Sequence, residues 1–155
     1  MTPRQLRVRD LNAGACRALL SRNTIGRLAF SFRDRVDIRP LSYVFDDEWI
    51  FGRTSPSEKL LTVRHHRWVA FQVDEIEDEL NWSSVVVHGP FQILDEGESA
   101  QHRELLGQAR KAIREEHPEA FSPTDLTPER SFIFGIAVQE YNGRAARFLT
   151  LEDQG

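Results

Sequence analysis

Cysteine, lysine and long apolar runs are what this 155-residue chain lacks. Its one cysteine, Cys16, excludes an intramolecular disulfide framework. No apolar run approaches the roughly 18 residues that a membrane-spanning helix needs. The first ten residues, Met-Thr-Pro-Arg-Gln-Leu-Arg-Val-Arg-Asp, hold no apolar core of the secretory type, so a cytoplasmic location is expected. There is no Gly-x-Ser-x-Gly, no phosphate-binding P-loop and no Gly-x-Gly-x-x-Gly. Hydrolase, nucleotidase and dinucleotide-fold readings therefore lose their usual support. The five histidines show no zinc spacing, and the run Asp74–Glu79 lacks the glycine and ligand order of a calcium loop, so no metal site is expected. A chain this long buries about 70% of its extended surface, enough for one domain, 1–155, without a staple.

What is present is an uneven charge. The net value is −4, yet residues 1–70 balance to +6 and residues 71–155 to −10. The basic half suits an anionic partner. Duplex nucleic acid usually calls for a pI above about 9, and this chain has 5.7, so a small anionic ligand is expected and nucleic acid is not. Only two of the 20 basic residues are lysines, Lys59 and Lys111.

Periodicity predicts a first helix from Leu11 to Ser21, capped by Asp10, with Cys16 on its apolar face. Alternation predicts strands at Ile25–Phe32, Val36–Phe45 and Glu48–Arg53, joined by short polar turns. Pro40 requires an edge position or a bulge. Ser57 is placed to cap a short helix from Glu58 to Arg64. Further strands are expected at Trp68–Val73, at Trp82–Leu94 with a break at Gly89-Pro90, at Phe132–Val138 and at Arg144–Leu151. Asp74–Leu80 reads as an acidic connector and 118–130 as a solvated, proline-rich loop. A second long helix spans Ser99 to Glu116, and Asn142-Gly143 reads as a hairpin turn. About seven strands with two or three helices, and little helix to cover a sheet, predict a mainly β fold closed into a barrel.

One cluster combines hydroxyls, a cation and a helix start: Phe51-Gly52-Arg53-Thr54-Ser55-Pro56-Ser57-Glu58-Lys59. Such a combination suits an anion. In chain order, Arg27-Leu28-Ala29, Arg39-Pro40-Leu41-Ser42-Tyr43, Ile50-Phe51 through Ser55 to Lys59-Leu60, Val69–Asp74, Trp82–Gly89 and Asn142-Gly143-Arg144 follow one another. In this order and spacing, from about residue 10 to 147, the chain resembles the pyridoxamine 5′-phosphate oxidase-like, FMN-binding split-barrel proteins. The likeness is greater to the branch that includes nitroimidazole-reductase-like flavoproteins.

The resemblance implies a split β-barrel with flanking helices, a homodimer, and FMN in clefts at the subunit interface. It implies that Lys59 meets the FMN phosphate, with Thr54, Ser55 and Ser57 as hydroxyl or amide partners. Arg39, Pro40, Leu41, Ser42 and Tyr43 would lie along the ribityl chain and ring, with Gly52 and Arg53 beside them. Trp82, Ser83 and Ser84 would open a strand next to the phosphate or the ring. Nitroimidazole-reductase-like relatives often carry a histidine where this chain has Gly52. The activity implied is that of an FMN-dependent oxidoreductase of unnamed substrate. The alternatives are a flavin carrier or sensor without turnover, and a fold relative using deazaflavin or haem.

Overall fold

A computed structural model describes residues 4–56, 65–95, 97 and 99–150. The predicted short helix from Glu58 to Arg64, with Ser57 and Lys59, lies outside the described residues. The chain begins with a strand, β1 (Arg4–Leu11), and a helix, α1 (Ala13–Arg22). Three strands follow, β2 (Ile25–Phe32), β3 (Arg35–Asp46) and β4 (Trp49–Thr54). Two long strands, β5 (His65–Asp78) and β6 (Asn81–Leu94), lead to α2 (Ala100–Glu116). The last strands are β7 (Phe132–Ala137) and β8 (Glu140–Thr150).

All pairings are antiparallel, in the order β1-β8-β6-β5-β2-β3-β4-β7, and β7 pairs back onto β6 to close a six-stranded ring. The split lies in β6. One of its edges pairs with β5. Its other edge pairs with β8 over Trp82–His88 and with β7 over Phe91–Leu94. Gly89-Pro90 sits at the change of partner. There a proline needs no donor for either ladder, and a Cβ on Gly89 would fall 1.9 Å from the Ala137 carbonyl oxygen. The expected break is therefore a change of neighbour within a continuous strand.

Pro40 has a similar explanation. The β2–β3 register is unbroken from Ile25↔Ser42 to Phe32↔Arg35, whereas pairing with β4 begins only at Tyr43↔Gly52. Pro40 thus stands on a strand segment that is an edge on its β4 side, among the described residues.

The other departures from the sequence reading have physical causes. β1 was not expected, because its partner β8 lies at the far end of the chain and its alternating arginines hide the pattern. Asp10 lies within β1 opposite Arg144, and Asn12 caps α1 by accepting from the Ala15 N–H at 2.8 Å. The acidic connector is mostly strand. β5 runs on to Asp78 while its carboxylates pair with arginines of neighbouring elements, Glu75 with Arg22 and Asp74 with Arg27. Asn142-Gly143 is no turn but part of β8, where Gly143 lets α1 approach. A Cβ there would lie 2.4 Å from the Cys16 sulfur.

The two tight hairpins place Arg33-Asp34 and Asp47-Glu48 at positive φ, the conformation that matches strand twist in two-residue loops. The main core fills the ring with Leu28, Phe30, Ile50, Phe71, Phe91 and Phe134, and α1 adds Cys16, Leu19 and Leu20. Burial raises the Cys16 thiol above its ordinary pKa, as expected of a core cysteine. A second core lies between α2 and the outer face of β4 and β7, built on Phe51, Leu106, Ala109, Ile113 and Ile133.

Candidate functional site

Strand alternation decides what each predicted residue on β3 and β4 can do. Tyr43 points into the barrel, where its hydroxyl donates to the Leu20 carbonyl at 2.6 Å and its ring meets Phe71 edge-on. Burial pushes its phenol well above the ordinary range, so it stays neutral. Leu41 packs against the main core, and Pro40 and Ser42 are exposed on the outer face. On β4, Phe51 and Arg53 face the α2 side. Gly52 faces inward, where a Cβ would fall 2.4 Å from the Phe134 ring. Thr54 ends the strand 2% exposed, and its hydroxyl meets no hydrogen-bond partner among the described residues. A buried orphan hydroxyl is costly in an apolar setting and fits a site whose acceptor arrives with a ligand.

A cavity of about 410 Å³ opens between the β3–β4 outer face, the end of α2 and the 118–130 segment. It brings together Ser42, Tyr43, Gly52 and Arg53 of the predicted residues. Arg39, Pro40, Leu41 and Thr54 flank it on the same two strands, and Ser55 follows β4, without lining it. Trp82, Ser83 and Ser84 lie elsewhere, at the start of β6. There Ser83 is buried and Ser84 accepts from the Gln72 amide at 3.1 Å. Gln72 stands opposite Arg27, so a polar stripe crosses the outer face from β6 to β2, with Pro40 of β3 beside Arg27.

The sequence reading names Arg53 but misses Asp125, the partner with which it organises the cavity wall. The Arg53 guanidinium forms a bidentate pair with Asp125 at 2.8 and 3.3 Å, and its Nε donates to the Arg130 carbonyl at 3.0 Å. The Phe121 and Thr127 N–H groups each donate to the same carboxylate at 2.9 Å. Arg53 and these two amides hold the Asp125 carboxyl well below the ordinary carboxylate range. Phe121 adopts φ 65°, costly for a bulky side chain, with its ring against the guanidinium groups of Arg53 and Arg114 at 4.5 and 5.4 Å. The 118–130 segment is therefore a fixed wall. A strand arginine and an Asp-x-Thr turn between prolines were the signals, but their 72-residue separation left nothing local to join them.

A sequence profile described as pyridoxamine 5′-phosphate oxidase matches residues 12–145. An uncharacterized protein of Rhizobium meliloti (strain 1021) is 25% identical over 147 residues, covering 90% of this chain and 95% of that one. A solved FAD-binding protein from Mesorhizobium loti has a TM-score of 0.68 at 28% identity, covering 89% of this chain and 97% of that one. The FAD binding protein from Mycobacterium smegmatis gives 0.68 at 20% identity, with 90% and 100% covered, a likeness of fold.

Proposed function

This chain belongs to the pyridoxamine 5′-phosphate oxidase family, and on that premise we propose that it binds a flavin, FMN, as an oxidoreductase acting on a small molecule. The observation that carries the reading is the match to the family over residues 12–145, joined by a 28% identical relative of the same fold described as FAD-binding. Within the chain, the buried Thr54 hydroxyl, unpartnered among the described residues, fits a ligand that brings its own acceptor oxygens.

In this reading Arg39 and Lys59 supply charge to the phosphate. Thr54, Ser55 and Ser57 supply directed donors, since a phosphate carries about −1.5 to −2 charges and wants several charge-assisted bonds. The Arg39–Tyr43 strand lines the ribityl chain and ring, with Pro40 and Ser42 offering its outer face. The flavin, once bound, supplies the redox chemistry, and the protein binds it, orients it and limits access to it.

The same reading makes the protein a homodimer. Val36, Ile38 and Trp68 are each more than half exposed and gather around Ala29 and Ala70 on the outer face of β2, β3 and β5. An apolar face of this kind on a closed sheet suits a second copy of the chain. The test is the visible spectrum of the purified protein and its titration with FMN, FAD and riboflavin. A stoichiometric flavin spectrum with FMN preferred supports the proposal, and a protein that takes up no flavin refutes it.

A further inference from the structure

The cavity beside β3 and β4 has a chemistry of its own. Its walls are Val44, Phe51, Ile113, Pro118, Ala120 and Leu126, which present apolar surface. Arg53, a cation set into the wall, is 12% exposed and is neutralised by Asp125, itself 6% exposed. Both carboxylate oxygens of Asp125 are taken, and the guanidinium also serves the Arg130 carbonyl and Thr127. Among the described residues, this pair leaves the wall itself without an uncompensated charge. At the rim, among the described residues, the carboxylates of Glu116 and Glu119 outnumber the exposed guanidinium of Arg130, with the imidazole of His117 beside them. An anionic ligand entering here would lose its hydration and, among the described residues, meet two like charges against one exposed guanidinium. That costs far more than an apolar ring would lose. The volume, about 410 Å³, is in the usual range for small-molecule sites.

We infer that this cavity is the compartment for the reacting small molecule, and that it selects an uncharged, mainly apolar ring compound over phosphorylated or carboxylated ones. The inference rests on the flavin reading for the word "reacting", while the selectivity rests on the wall alone. Arg53 and Asp125 act here as positioning residues: they fix the wall and cancel each other's charge.

The experiment is calorimetric titration of the purified protein at pH 7 with 2-naphthol and with 2-naphthoate, two probes of one ring size that differ in charge. Wild type is expected to bind 2-naphthol about tenfold or more tightly than 2-naphthoate. Asp125→Asn releases the Arg53 charge and should shrink that gap severalfold. Leu126→Lys adds a cation at an exposed cavity residue, where folding is not at stake, and should also raise 2-naphthoate affinity. Equal binding of both probes by wild type, binding of neither, or a Leu126→Lys variant with the gap unchanged would overturn the inference. Competition between 2-naphthol and added FMN for one site would overturn it as well, because the cavity would then be the flavin's own. Visible absorbance of the same samples reports flavin content separately. A protein without flavin defeats the functional reading, while the naphthol comparison still decides the cavity's selectivity.

Discussion

Asp125 accepts four hydrogen bonds inside a wall that leaves it 6% exposed, so its loss is felt mainly through what it abandons. Asp125→Ala strands a buried guanidinium, and breaking such a pair costs about 3–5 kcal/mol. Urea denaturation should show that loss, and a change below about 1 kcal/mol would mean the segment is held by other contacts. Glu75 gives the same logic in milder form. Bonds from Arg22 and Asn23 draw its carboxyl down to about 2. A carboxyl lowered in the folded state contributes stability that is complete above its unfolded pKa and lost as pH falls through the folded one. The urea midpoint should therefore be flat above about pH 5 and decline between about pH 4.5 and 2, with a shallower decline in Asp125→Asn. Glycine also acts at this scale. Gly143→Ala forces a methyl onto the Cys16 sulfur and Leu11, an overpacking that costs about 1–3 kcal/mol by the same denaturation measurement.

Elements were legible where their signal is local. β2 follows the expected span, Ile25–Phe32, because Leu28 and Phe30 alternate with polar neighbours and a two-residue turn follows. α2 starts where Ser99 accepts the His102 N–H and ends at His117-Pro118. Elements whose reason lies across the molecule were not legible. β1 exists through β8, and β5 outlasts its apolar stretch through arginines on α1 and β2. Asn142-Gly143 has the composition of a turn but the environment of a close helix contact. The cap of α1 tests this difference. Asn12→Ala should cost about 1 kcal/mol, whereas Asp10→Ala should change stability by less than about 0.5 kcal/mol. Equal effects would restore the cap to Asp10. The site divides in the same way. Ser42, Gly52 and Arg53 share a cavity because β3 and β4 are adjacent, while Asp125 reached it through a fold-level approach of the 118–130 segment.

At the scale of the whole molecule, the barrel is closed but not covered. The face carrying Val36, Ile38 and Trp68 has no layer over it in one chain, among the described residues. The proposed dimer would cover it, so wild type should sediment at micromolar concentration as twice the 17.9 kDa chain mass. Ile38→Glu should shift it to single chains without unfolding it. A wild-type monomer would remove the dimer from the account. The central claim is a flavin held by its phosphate, and titration of flavin-free protein with FMN and with riboflavin, before and after Lys59→Ala, tests it most directly. Wild type should prefer FMN strongly. Lys59→Ala should weaken FMN by roughly 10- to 150-fold, the equivalent of about 1.5–3 kcal/mol for a hydrogen bond to a charged group, and erase most of that preference. Riboflavin binding as tight as FMN binding in wild type, or no binding of either, would contradict it.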